Sequence, residues 1–467
     1  MGKKRLVNIL VFLVLLLFPF IVNAETYTIT VNGSNPNHTY QAYQIFGGTV
    51  SGGRISDVTW GTGVNTTTLL AEHPEYTNPE TVAGTLATEA DARAFANLII
   101  GYLNLAPTAS CQIVGNTCSM GNLAGGYYLI KDVDHSLDNS DEVYTPYILQ
   151  VIENKTVRPK LSNTPYLMYE VLDSDDLGTD SIAVGYNQDV TFNATISMPA
   201  DYTSYEHYGL VLTSEVAQGL TPNNNSIKVY VGDQQITNGF TTGINGQIIT
   251  VTFADLKTIT SVTNSSEIKI EYSAKVNTNI VPGSDGNLNT AYITYTNNAN
   301  EPTQLTGKSE TLETYLYTGK IVVHNVDEDG ESIEGSTFSL IGPDGTIVGV
   351  VDEDDASYIN LVGVGPGTYT LRQTATPDSY EPIEDVTLVI TVNNYTGEIT
   401  ITSHTGNQIT IYTEDDYTLL EIYNKYSALL AFTGGRGTLI YTVTGLGVMG
   451  FAVLLILIRK RKDDLED

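Results

Sequence analysis

Short runs in which Thr, Val, Ile and Tyr alternate with polar residues recur along most of this chain. Examples are TYTITV from Thr26, YGLVL from Tyr208, QIITVTF from Gln247 and EIKIEYSAKV from Glu267. A period of two sends successive side chains to opposite faces of a strand, so each run can cover a core on one side and meet water on the other. Gly, Asn, Asp and Pro interrupt the runs at short intervals. That is the spacing of turns, not of the crossover helices that parallel sheets need. The expected fold class is all-β, with tandem immunoglobulin-like antiparallel β-sandwich domains. One segment breaks the rule. In TEADARAFANLIIGYL, residues 88–103, Ala92, Phe95, Leu98, Ile99 and Tyr102 recur at helical spacing, which predicts a short helix in the N-terminal domain.

Both ends are apolar. Lys3, Lys4 and Arg5 precede an apolar stretch from Leu6 to Ile21, and Val22-Asn23-Ala24 offers small residues at the cleavage positions. Residues 1–24 therefore read as a secretory signal peptide. Leu439 to Ile458 is apolar and long enough to cross a bilayer at ~1.5 Å per residue. Arg459, Lys460, Arg461 and Lys462 follow and fix that end as cytoplasmic. The chain between the two is expected outside the cell.

That exterior, Glu25 to Thr433, carries 14 Lys and Arg against 49 Asp and Glu, a net charge of −35. Such a surface repels phosphate backbones, which argues against a nucleic-acid partner. The two cysteines, Cys111 and Cys118, have six residues between them. Outside the cell they are expected to form a disulfide, contributing roughly 2.5 kcal/mol through loop entropy. With no His or third Cys nearby, no metal site is expected. VDEDG, residues 326–330, reads as a β-turn, since Asp327 and Asp329 lack the further ligands of a calcium loop. No cofactor motif and no nucleophile–base arrangement stands out, so no enzyme is read.

Polar, proline-bearing stretches at 154–165 and 297–313, and the linker KYSALLAFTGGRG at 425–437, suggest boundaries. The expected domains are 25–157, 158–312 and 313–427, with a terminal segment 428–467.

Ahead of the C-terminal span stands LAFTG, Leu430, Ala431, Phe432, Thr433 and Gly434. With the span and basic tail, it resembles the wall-sorting signal of Gram-positive surface proteins, Ala431 standing where that pattern has Pro. The resemblance implies that a sortase attacks the Thr433 carbonyl and expels Gly434. Glycine suits the leaving position because it has no side chain. The remaining chain resembles backbone pilins of sortase-assembled fimbriae. The resemblance lies in TYQAYQIFGGTVSGGRISDVTWGTGV and LAGGYYLIKDV, in VRPKLS, and in GLTPNNNSIKVYV and NLNTAYITYTNN. VDEDGESIEGSTFSLIGPDG and GVGPGTYTLRQTATPDSYEP resemble the collagen-adhesin B-type domain. The pilin motif implies Lys160 of VRPKLS as the acceptor amine, with Lys155 the nearest rival among ten exterior lysines.

Fimbrial domains of this kind usually carry an internal Lys–Asn amide bond assisted by a buried acid. Here the implied positions hold other residues. In the third domain, Asn325 stands for the lysine and Gln373 for the acid, while Asn424 is retained. In the middle domain, Tyr169 and Glu170 stand near the lysine position and Ser214 at the acid, with Asn289 or Asn297 as the remaining Asn. Glu215 and Lys320 fall on the wrong strand faces to substitute. No intramolecular bond is expected; Asn325, Gln373 and Asn424 are instead expected to form a neutral hydrogen-bonded cluster. The implied function is a polymerising fimbrial shaft subunit, with a monomeric wall-anchored adhesin as the alternative. The implied partners are sortase, neighbouring pilin subunits, peptidoglycan and host surface or matrix ligands, and the implied location is the cell wall.

Overall fold

The computed structural model describes residues 25–33, 38–144, 146–158, 164–298, 303–342, 345–348, 350–355, 357–414, 417–427 and 436–463. The fold is mostly β, with six separate sheets in three consecutive units. Strands alternate as the sequence does: Glu267–Val276 buries every second residue, among them Ile268, Ile270, Tyr272 and Ala274.

The first unit pairs Thr117–Ala124, Thr26–Asn32 and Lys155–Val157 in one sheet. Its second sheet is built around the strand Thr39–Ser51. Three helices pack on the latter: α1, Thr66–Glu72; α2, Pro79–Thr85; and α3, Glu89–Ile99. The sequence periodicity found only α3. The other two have seven residues each, too few to display a helical period. They are set by their caps. Asn65 accepts from Thr68 N, and Asn78, followed by Pro79, accepts from Glu80 N and Thr81 N. Phe95, Ala96 and Ile99 of α3 bury beside Phe46 and Leu129.

The middle unit is a sandwich of two seven-stranded sheets closed over one apolar core, with Phe192, Tyr272, Phe253 and Tyr295 among its largest buried side chains. The third unit packs two five-stranded sheets around Ile321, Val323, Leu340, Leu388 and Leu420. The sheets are mainly antiparallel, in keeping with the expected tandem β-sandwiches. Each unit also contains a parallel pair: Thr26–Asn32 with Lys155–Val157, Ser181–Ala183 with Leu312–Tyr317, and Gly319–Val326 with Thr418–Tyr423. The paired strands lie at or near the two ends of each unit, so the other strands of that unit provide the crossover and no dedicated helix is required. The boundary expected after residue 312 also moves. Leu312–Tyr317 pairs with Asn287–Tyr295 in the middle sheet, so the middle unit runs to Tyr317.

Consecutive units touch through hydrogen bonds that use backbone on at least one side. Between the middle and third units, Tyr186 N donates to Gly363 O at 2.8 Å and Ala183 N donates to Asn394 Oδ1 at 2.9 Å. Gly365 is required there, because a Cβ on it would stand 2.5 Å from Gly185 N.

Candidate functional site

In the third unit, Ile321, Val323 and Asn325 of the strand Gly319–Val326 point into the core. Lys320 lies on the other face, its Nζ 5.9 Å from the Tyr417 ring centroid. Asn325 and Asn424 are fully buried. Asn325 Nδ2 donates to Ser336 Oγ at 2.6 Å, and Gln373 Nε2 donates to the same oxygen at 3.2 Å. Gln373 and Asn424 pair through their amides: Asn424 Nδ2 donates to Gln373 Oε1 at 2.9 Å, and Gln373 Nε2 donates to Asn424 Oδ1 at 3.3 Å. Backbone completes the set, with Ile383 N donating to Gln373 Oε1 and Asn424 Nδ2 donating to Glu381 O. Three amides and a hydroxyl thus meet in one buried, mutually hydrogen-bonded cluster. The cluster has no group that ionises near neutrality, so it can support the fold but cannot form an amide bond. One atom is left over: Asn325 Oδ1 is buried with no hydrogen-bond partner among the described residues.

The middle unit holds a second buried polar cluster, built from hydroxyls. Tyr169 from Tyr166–Leu172, Ser214 from Leu210–Glu215 and Tyr272 from Glu267–Val276 meet inside the sandwich. Tyr169 OH lies 2.9 Å from Tyr272 OH and 3.3 Å from Ser214 Oγ, and Ser214 Oγ lies 2.6 Å from Tyr272 OH. The protons can be shared out. Ser214 donates to Thr290 O at 2.9 Å, which leaves Tyr272 to donate to Ser214 and Tyr169 to donate to Tyr272. Burial pushes both phenols above their ordinary range, so they stay neutral. Glu170 is on the outer face of its strand, its carboxylate against Gly178. Glu215 is exposed.

The two candidate asparagines separate. Asn289 is buried on Asn287–Tyr295, where Oδ1 accepts from Ala217 N at 3.0 Å and Nδ2 donates to Asn287 O at 3.0 Å. Asn297 lies past that strand's end, and its Nδ2 donates across to Leu137 O and Glu142 O of the first unit. It therefore belongs to the joint between units. Ser336 and Tyr272 were missed by sequence reading. Each is fixed by which strands face one another, and Tyr272 is 58 residues from Ser214.

Cys111 and Cys118 are joined by a disulfide bridging adjacent strands. Asp327 closes a turn, its Oδ1 accepting from Asp329 N and Glu331 N and its Oδ2 accepting from Tyr426 OH. Lys155 is half-buried, its Nζ 2.5 Å from Glu153 Oε1. Lys160 and the motif Leu430, Ala431, Phe432, Thr433 and Gly434 lie outside the described residues. Beyond the motif, helix α4, Arg436–Asp463, contains the 19 residues Tyr441–Arg459 at a mean hydropathy of 2.2, none buried by protein. That length and composition fit a membrane span.

Residues 319–423 match the family described as SpaA, a prealbumin-like fold domain. The T6 backbone pilin of serotype M6 Streptococcus pyogenes, described as a modular three-domain structure, aligns with 86% of this chain and 98% of its own, at a TM-score of 0.60 and 16% identity. This chain has the fold of a backbone pilin. The major pilin SpaD from Corynebacterium diphtheriae gives the same coverage, 86% and 98%, at a TM-score of 0.50 and 14% identity. No curated protein matches the chain. Both of these structures are pilins. The prealbumin-like match ends at Tyr423, next to Asn424 of the amide cluster.

Proposed function

We propose that the chain is the shaft subunit of a sortase-assembled fimbria. The reading rests on the likeness to the T6 backbone pilin, described as a modular three-domain structure, over 86% of this chain. The sequence adds an amine at the first joint and a sorting motif before the span. In this reading a sortase thiolate attacks the Thr433 carbonyl, the Thr433–Gly434 amide breaks, and Gly434 leaves as a protonated amine. Lys160 of a second copy, in its neutral form, attacks the thioester. The thiolate departs and a new amide joins the two subunits.

The third unit holds the reacting peptide on a short tether. Ser427 N donates to Ser379 O at 2.8 Å, and Tyr426 stacks on Tyr380 with ring centroids 4.9 Å apart. Only residues 428–433 separate that anchor from the acyl carbon, a reach of at most about 20 Å. Linkage is thereby confined to the end of the third unit, which keeps a polymer's subunits in file. The last subunit passes to a peptidoglycan amine instead of a lysine.

Replacing Lys160 by Ala is the test. Wild-type cells are expected to show a ladder of high-mass, detergent-resistant bands that the variant reduces to a single wall-linked species. An unchanged ladder in Lys160→Ala that vanishes in Lys155→Ala would transfer the role to Lys155. No ladder in the wild type would favour the monomeric adhesin.

A further inference from the structure

The segment following Gly126–Asp132, residues 133–144, clamps the first unit to the middle one. Asn139 N donates to Thr306 O at 2.6 Å, Lys308 N donates to Ser140 O at 2.9 Å, and Tyr144 N donates to Asn297 O at 3.1 Å. Asn297 Nδ2 donates back to Leu137 O at 3.3 Å and Glu142 O at 3.0 Å. All five use the segment's own backbone, so the clamp depends on how the segment is held from behind.

His38 holds it. The residue is 7% exposed, with Nδ1 2.8 Å from Asp132 Oδ1 and Nε2 3.4 Å from Glu142 Oε2. One ring therefore connects the strand where the segment begins to the carboxylate near its end. The neighbours that face it are neutral. Tyr40 of Thr39–Ser51 stacks on it at 5.4 Å, and Tyr147 of Tyr147–Val151 approaches Asp132. Burial and the adjacent carboxylates push both phenols up. Lys131 is directed to Asp134 instead, and His135 of the segment pairs with Asp138 at 2.9 Å. A neutral imidazole has one N–H, so it can donate to one carboxylate and must turn a lone pair on the other. Only the imidazolium can donate to both.

We propose that His38 is a proton-operated latch on the joint between the first and middle units. Protonated, it donates to Asp132 and Glu142 and holds segment 133–144 against the middle unit. Deprotonated, it loses its bond to Glu142, and the segment opens. Burial lowers the affinity of His38 for its proton, but the hydrogen bonds and charge of Asp132, then those of Glu142, outweigh this and raise it. The sign follows. Asp132 stays beside His38 whether the segment is docked or open, so Glu142 alone distinguishes the two states. Its added acceptor makes the docked affinity the higher one, and the stabilisation of docking, fully present below the open-state value, is lost as pH rises through the docked value. The joint is tight in acid and loosens toward alkaline pH. Each unit by which docking raises the value changes the opening equilibrium about tenfold.

Hydrogen exchange of the full chain in detergent tests this, followed on peptides covering 134–144 and 303–310 and corrected for intrinsic exchange. Between about pH 5 and about pH 8.5, on either side of the histidine value, wild-type protection of Asn139, Tyr144 and Lys308 amides is expected to fall at least several-fold. His38→Gln should exchange quickly at both. Glu142→Gln should stay protected at both, because its amide can donate to the Nε2 lone pair of neutral His38. His135→Gln should keep the wild-type dependence. Equal wild-type protection at both pH values would overturn the latch. So would a pH dependence that survives in His38→Gln, or Glu142→Gln behaving as wild type.

Discussion

The double variant Asn325→Lys with Gln373→Glu is expected to lose one molecule of ammonia from its mass and to gain a covalent cross-link to Asn424. The geometry already stands ready for the acid. Gln373 Oε1 is 2.9 Å from Asn424 Nδ2 and its Nε2 is 3.3 Å from Asn424 Oδ1, so a Glu of the same shape would address the carboxamide directly. Burial would keep the introduced carboxyl protonated and the introduced amine neutral, the forms the reaction needs. The amine attacks the Asn424 carboxamide carbon, the acid relays the proton, and ammonia leaves. The substitution also removes Asn325 Oδ1, the acceptor with no partner among the described residues. Closing the loop from 325 to 424 should contribute about 4–5 kcal/mol by the chain-entropy model. At ~4–8 °C per kcal/mol for a unit of this size, melting should rise by roughly 20–30 °C. Intact-mass measurement and calorimetry check both. The single variant Asn325→Lys, lacking the acid, should show neither change and should be less stable than wild type. Adding Asn424→Ala to the double variant should restore the full mass.

Wild-type protein pulled from its two ends should extend through every unit. Neither the amide cluster nor the Tyr169–Ser214–Tyr272 cluster is covalent, so each sandwich relies on burial and hydrogen bonds, a net of ~5–15 kcal/mol per domain. Residues 166–317 and 319–427 should each release their whole length, roughly 500 Å and 400 Å at about 3.5 Å per residue. Single-molecule force spectroscopy reads these steps directly. In the double variant the longer step should remain and the shorter should largely disappear. A wild-type molecule whose middle and third units do not lengthen would show that a covalent bond is present after all.

The strands were legible because alternation is a local property: each run of Thr, Val, Ile and Tyr states its own buried face. Helix α3 was legible for the same reason, being long enough to show its period. The parallel pairs were not, because nothing in Lys155–Val157 indicates that it will lie beside Thr26–Asn32. The amide cluster was readable in three of its four members, since Asn325, Gln373 and Asn424 stand at positions the resemblance marks. Ser336 joins only because Thr337–Ile341 pairs with Gly367–Ala375 and brings it under Gln373. Tyr272 was hidden in an ordinary alternating strand, where a buried tyrosine signals packing. Its hydroxyl found partners because Glu267–Val276 crosses opposite Leu210–Glu215 in the other sheet. Asn297 illustrates the reverse case: offered by the resemblance as an alternative to Asn289, it lies two residues past its strand and serves the joint between units.

The most direct measurement is on the assembled product. Fibres purified from the cell wall, digested and sequenced by mass spectrometry, should yield a branched peptide in which the Thr433 carboxyl is bonded to Lys160 Nζ, present once per junction. Thr433 recovered solely on peptidoglycan, with no lysine-linked form, would contradict a polymer and leave a solitary wall-anchored protein.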